Sequence, residues 1–371
     1  MAEIEMLDQP VKASEDKLLN EVTLTKNSLS TTRMDMSFGE IMSMYEREEL
    51  IINPNFQRLF RWLIPQQTRF LESLLLGIPI PSIFVAEDKN GKWELVDGVQ
   101  RISTFLSFFG VLKTLPDKNK WVLSKGELIE SLENYDCDTI PLKINLNLKR
   151  ASCRIEIVKW NSIMDVRYEL FNRLNTGGTP LTDQEIRNCI FRGTSSVFND
   201  FLSRMASDIT FINLIKPTER QNEQKYPEEV ILRFVSLLNN EWKNSENWKN
   251  TGDRLSTYMT LFMKRTVANT EFDFASIESL FRRVLTLLDP LGYEVFRGSN
   301  NIFSTSIYDG ITLGLAANID YYEGTGRTQI RTKINELIAN PEFQKNMGAG
   351  SSTKNRVINR IKVSLDVFNH E

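Results

Sequence analysis

The chain has 371 residues, 41% of them hydrophobic, and a formal net charge of −3. That supplies apolar material for about two cored domains, and its charge balance is too even for a surface that binds nucleic acid throughout. His370 is the one histidine, which excludes Ser-His-Asp triads, Cys-His pairs and histidine-ligated zinc and leaves catalysis to carboxylates, amides, Arg and Lys, with a hard cation such as Mg²⁺.

In chain order, residues 1–35 are polar without a strong period, which predicts an arm with short local structure. Their start, MAEIEMLDQP, has neither the basic residues nor the apolar run of a signal peptide. Phe38 to Tyr45 reads as a short helix and Leu50 to Ile52 as a strand. Pro65 suits the first turn of a helix with Phe70, Leu71, Leu74 and Leu75 inward and Gly77 at its end. Ile83 to Val85 and Trp93 to Val96 flank Asn90-Gly91 and predict a hairpin. Thr139 to Asn145 and Cys153 to Lys159 alternate as two further strands would. From Ile163 onward the pattern is helix after helix, with Pro217 to Pro227 as the clearest long loop. Cys137, Cys153 and Cys189 have no metal-type spacing, which points to a reducing cytoplasm.

Three polar segments carry the candidate chemistry. Asp97-Gly98-Val99-Gln100-Arg101 joins the second hairpin strand to a helix whose apolar face is Val99, Ile102, Phe105, Leu106 and Phe109. Free N–H groups at a helix start attract anions, and Arg101 adds a planar cationic fork suited to phosphate. A tight turn, with Asp97 as cap and Arg101 paired to a surface acid, fits the same five letters. The segment NPNFQRLFRW, 53–62, sets Gln57, Arg58 and Arg61 among Phe56, Phe60 and Trp62. Its aromatics read first as packing residues, and Gln57 and Arg58 gain a functional reading only if the segment folds back onto DGVQR. In FNRLNTGGTPLTDQEI, 171–186, Gly177 and Gly178 permit a tight loop beside Arg173 and Asn175, and Thr182 with Glu185 forms a capping box.

The ordered set NPNFQRLFRW, ESLLLGIPIPSIFV, ELVDGVQRISTFLSFF and FNRLNTGGTPLTDQEIRN resembles, over about residues 38–192, the N-terminal domain family of GmrSD-type restriction systems. That family is related to the ParB and sulfiredoxin nucleotide-binding fold and is recognised by a DGQQR motif; Val99 stands where the family usually has Gln. The resemblance implies an α+β chain with a polar arm at 1–35, a ParB-like nucleotide-binding domain at 36–160 and a helical domain at 161–371, whose first part, 161–192, completes the site. It also implies a nucleoside triphosphate with Mg²⁺, held by Gln57, Arg58, Gly98, Arg101, Asn175, Gly177 and Gly178. Asp97, Gln100 and Arg101 would be catalytic, with Asp97 on the metal or the attacking water.

The expected function is therefore an NTP-binding, NTP-hydrolysing subunit of a prokaryotic anti-phage restriction system. The alternatives are a nucleotide-gated DNA-binding switch with little hydrolysis and a regulatory partner of a separate nuclease. Larger relatives append a histidine-dependent HNH nuclease domain, which this sequence lacks the histidines to build, so DNA cutting is expected on another chain. Expected partners are the nucleotide, DNA, that nuclease chain and a further copy of this one, without a membrane. Residues 327–362 hold 8 bases and 2 acids, which makes Arg327, Arg331, Lys333, Lys354, Arg356 and Arg360 candidates for DNA binding. A solvated helix face explains them equally well.

Overall fold

The Asn90-Gly91 turn closes the expected hairpin: Asp88 Oδ1 accepts from the N–H groups of Asn90 and Lys92, at 2.8 and 2.9 Å. Gly91 takes a φ of +80°, which its missing Cβ allows. In a computed structural model, residues 14–28, 30–52, 62–88, 90–159, 181–192, 196–249, 251–298 and 301–370 are described. The chain forms two compact units, Met1–Pro180 and Leu181–Glu371.

The first unit holds α1 (Glu15–Ser28), β1 (Thr31–Ser37), α2 (Phe38–Glu46), β2 (Leu50–Ile51), α3 (Ile64–Leu75), β3 (Ile83–Glu87), β4 (Trp93–Asp97), α4 (Val99–Phe108), α5 (Leu142–Arg150) and β5 (Ser152–Val158). The strands make one mixed sheet in the order β1-β5-β3-β4-β2. β3 runs antiparallel to β4 and parallel to β5, while β1 pairs antiparallel with β5. The register sets Phe84 beside Asp97 and Ile83 beside Ile155, with Met34 on the far side of Ile155. The end of β4, the starts of β3 and β5 and the end of β1 therefore share one edge of the sheet.

α4 is the central helix of this unit. Val99, Ile102, Phe105, Leu106 and Phe108 are buried, and so are Ser103, Thr104 and Ser107, so only the ends of the helix approach solvent. Phe38 of α2 packs on Phe105 at 4.9 Å and on Phe70 of α3 at 5.9 Å between ring centres. Each such fully buried ring contributes roughly 1.5–3 kcal/mol of burial free energy. α3 opens as expected, with Pro65 in its first turn and Gln66 Oε1 accepting from the Leu63 N–H at 2.9 Å.

The second unit is built of helices among the described residues, from Asp183–Arg192 to Lys354–Val367. Its core contains an ion-paired cluster in which Asp309 accepts from Arg233 Nε at 3.0 Å and from Arg360 Nη2 at 2.9 Å. The mixed α+β class of the chain is thus as expected.

Two local expectations are corrected and one is made specific. Thr139 to Asn145 is not a strand: Pro141 opens α5, and Leu148, buried one helical turn after half-buried Ile144, faces the core. The alternation of apolar letters is a strand-like pattern that one i, i+4 contact and a proline override. The short local structure expected in the polar segment before residue 36 is α1 and most of β1, the latter formed because β5 supplies a ladder for a strand with little burial of its own. Pro217 to Pro227 contains a short helix, Glu219–Glu223, started by a Thr218–Gln221 capping box.

Candidate functional site

Gly98 makes the junction between β4 and α4. Its φ is +97°, and a Cβ there would lie 2.3 Å from Ile83 Cδ1, so neither the backbone angle nor the space admits a side chain. The chain consequently turns from strand into helix within one residue. Asp97 is left at the sheet edge, and Gln100 and Arg101 enter the first helical turn. Val99 points inward and is buried. Its side chain packs in the core, so at this position the valine answers to packing.

Arg101 reaches back across the glycine. Its Nη2 donates to Asp97 Oδ2 at 2.9 Å, and its Nη1 donates to the carbonyls of Ser82, at 3.3 Å, and Pro81. The Arg101 side chain is 12% exposed and that of Asp97 43%. Burial pulls the Arg101 pKa below its ordinary value and outweighs the opposing charge of Asp97. Arginine stays protonated even so, and the result is a charged fork in a poorly solvated place, partly balanced by one carboxylate. Of the tight-turn reading, the pairing of Arg101 with an acid is present, but Gly98 is the N-cap and no side chain caps the helix, so Asp97 serves as the partner of Arg101 and not as the cap.

Gln100 links the junction to the segment before α3. Its Oε1 accepts from the Trp62 backbone N–H at 3.1 Å, across 38 residues of sequence. The Trp62 carbonyl accepts from Gln67 Nε2 at 2.7 Å, and the indole packs on Phe70 at 5.7 Å. The end of NPNFQRLFRW is therefore fastened to DGVQR, and Trp62 acts as a packing residue. Gln57, Arg58, Asn175, Gly177 and Gly178 lie outside the described residues. The Thr182–Glu185 capping box is formed, with Glu185 Oε2 accepting from the Thr182 N–H at 2.8 Å.

A cavity of about 550 Å³ opens at the same sheet edge, lined in part by Ile78, Pro79, Ile80, Ser82, Asp35, Arg150, Cys153 and Arg154. Arg101 holds the carbonyls of Pro81 and Ser82, in the loop that walls this cavity. Burial pushes the Cys153 thiol up to about 12, against a lowering effect of the Arg101 charge. Sequence reasoning missed Ser82, Arg150 and Arg154, because they come from two segments far apart in sequence, the loop ending at Ser82 and the stretch 150–154, that only the sheet brings together. Among the described residues no group of three or more His, Cys, Asp or Glu side chains is gathered as a metal cage.

Residues 38–192 match the family model described as GmrSD restriction endonuclease, N-terminal domain. The chain carries this domain. No curated protein and no solved structure gives a match. The GmrSD N-terminal domain takes in the sheet from α2 onward, the DGVQR junction and the cavity wall, and it ends with the helix Asp183–Arg192 in the second unit. The family points to a component of a restriction system.

The basic residues beyond the GmrSD N-terminal domain do not form the expected row. Arg360 is fully buried; besides Asp309 it bonds the carbonyls of Asn346 and Ser351, at 3.1 and 2.9 Å. It is corrected from a DNA-binding candidate to a core residue, since a phosphate backbone cannot reach it. Arg331 donates to the Leu291 carbonyl at 2.9 Å, and Arg356 to the carbonyls of Met347 and Ala349. Lys333 pairs with Glu336 at 3.4 Å. Arg327 is exposed and Lys354 half-buried. No helix among the described residues is long and apolar enough to cross a membrane.

Proposed function

We propose that this chain is the nucleoside-triphosphate-binding and hydrolysing subunit of a prokaryotic restriction-type defence system, with its site at the β4–α4 junction on a ParB-like frame. The observation that carries this reading is the hydrogen bond from Trp62 to Gln100, which ties the last residue of NPNFQRLFRW to DGVQR. Folding of that segment onto the junction is the condition under which Gln57 and Arg58 take a place beside Arg101. The neighbouring cavity has a volume in the usual range for small-molecule sites, roughly 300–1,000 Å³.

The division of roles follows from the chemistry of each side chain. Arg101 binds a phosphate oxygen, because an anionic acceptor outcompetes the neutral carbonyls of Pro81 and Ser82 that it now holds. The start of α4 adds its N–H groups and dipole. Gln100 keeps the neighbouring segment in place. Asp97 accepts a proton from a water as that oxygen bonds to the terminal phosphorus and the bridging oxygen departs with the diphosphate. One carboxylate without a cage fits a magnesium ion that arrives with the triphosphate, which would supply charge neutralisation at the phosphates. Asn175, Gly177 and Gly178, outside the described residues, are assigned to the same nucleotide. DNA and a separate nuclease chain are the partners that such a subunit serves.

Phosphate release from each NTP with Mg²⁺ tests the reading, comparing wild type with Arg101→Ala and Asp97→Asn. Arg101→Ala lowers turnover by about a hundredfold or more if the arginine stabilises phosphate charge. Unchanged turnover in Arg101→Ala overturns the site. Tight nucleotide binding without turnover in the wild type assigns a switch instead.

A further inference from the structure

β1 is an edge strand: β5 lies along one side, and among the described residues no strand lies along the other. Thr31 to Asp35 are exposed. An open edge of this length is a template for another strand. Its neighbour α1 is as unusual, since all its described side chains are exposed, including Leu18, Leu19 and Val22 at 56, 56 and 55%. These three fall on one face at i, i+1 and i+4. A helix of 14 residues is marginal alone in water, so this one calls for a surface to pack on.

We propose that the α1–β1 edge docks a second copy of this chain, β1 pairing antiparallel with its twin about Met34. The charges select both the occupant and the register. Within one chain, Arg33 faces Glu156 at 3.7 Å and Asp35 faces Arg154 at 3.1 Å across the β1–β5 ladder. A twofold axis at Met34 sets Arg33 opposite Asp35 of the second copy. The row across four strands then alternates Glu156, Arg33, the second Asp35 and the second Arg154. Moving the axis by one residue sets Arg33 against Arg33 or Asp35 against Asp35, and like charges directly opposite are destabilising. The strand is self-complementary in one register, as a closed two-copy interface requires. Two exposed Met34 side chains meet at the axis, and the α1 stripe, joined to β1 through a two-residue link, contributes the apolar part of the contact.

Sedimentation of the full chain over a concentration series tests this. The wild type passes from monomer to dimer. Arg33→Glu alone faces carboxylate to carboxylate, Asp35→Lys alone faces cation to cation, and each raises the dimer dissociation constant by about tenfold or more. Mixing the two variants restores association, because each then meets its complement. A triple Leu18→Ser, Leu19→Ser, Val22→Ser variant, altered only where the monomer is exposed, also weakens the dimer and leaves melting unchanged. In the wild type, amide hydrogen exchange over 31–37 slows as concentration rises, a readout that needs no variant to fold. A chain that stays monomeric, or a dimer indifferent to both single charge reversals and without concentration-dependent protection of β1, overturns the proposal.

Discussion

Arg101 and Asp97 stand 2.9 Å apart across the left-handed Gly98, four residues from one another on opposite sides of a strand-to-helix turn. The same guanidinium holds two carbonyls of the loop that walls the adjacent cavity. One side chain thus has three neutral or anionic acceptors within the protein, and any phosphate must compete with them. This predicts that shape matters as well as charge. Arg101→Lys, a point cation without a planar fork, fails to restore nucleotide turnover and lowers the melting temperature nearly as much as Arg101→Ala. Pro81 is exposed and Ser82 and Asp97 are half-buried, so water takes up part of the loss and each lost bond costs about 0.5–1.5 kcal/mol. Parallel melting and phosphate-release curves check it, and full activity in the lysine variant would refute it.

Gly98→Ala is expected to destabilise the first unit by about 2–4 kcal/mol, from a left-handed backbone and an overpacked contact together. The contact is with Ile83 Cδ1 alone at 2.3 Å, the next atoms being at 3.4 Å. Adding Ile83→Val removes that atom, so the double variant recovers part of the loss but not the backbone strain. Denaturant midpoints of the two variants measure the split.

Gln100 acts through its acceptor oxygen. Gln100→Glu keeps an oxygen for the Trp62 N–H and holds its stability, whereas Gln100→Leu leaves that N–H without its partner and loses about 1–2 kcal/mol. If the fastening serves the site, the leucine variant also binds nucleotide more weakly, which isothermal titration reads directly.

The Cys153 thiol gives a pH signature. Its ordinary value is 9.0, and burial raises it to about 12 in the folded chain. The folded state therefore keeps a proton that the unfolded state releases between these values. This contribution to stability is full below pH 9 and declines as pH rises from about 9 toward 12. Cys153→Ala flattens that part of the stability–pH curve. At neutral pH the thiol stays protonated, so native alkylation of Cys153 is slow and accelerates on unfolding.

Arg360→Ala is expected to cost about 3–5 kcal/mol: Asp309 keeps Arg233 but loses its second arginine, the Asn346 and Ser351 carbonyls lose their donor, and the buried side chain leaves a cavity. Arg327→Ala, at an exposed site, changes stability by about 0.5 kcal/mol or less. Thermal melts separate the two, and a mild Arg360→Ala would contradict its burial.

Much of the first unit was legible from local chemistry. Asn90-Gly91 announced the hairpin, Pro65 the start of α3, and the Val99–Phe105 spacing the helix after DGVQR, because turns, caps and periodicity are decided within a few residues. What misled was also local: the alternating letters of 139–145 suit a strand, but Pro141 and the core contact of Leu148 made a helix. β1 was illegible because its partner β5 lies more than a hundred residues away, and only the ladder makes it a strand.

The candidate site divides along the same line. By itself the sequence determined the motif order, the near absence of histidine, and a glycine at the turn between β4 and α4. Only the tertiary structure decided that Trp62 donates to Gln100, that Arg101 holds the Pro81 and Ser82 carbonyls, that Val99 faces the core, and that Arg360 is an interior ion-pair partner. Each of these depends on a contact between segments distant in sequence. Such contacts are set by how the sheet and helices pack, which no spacing of letters specifies.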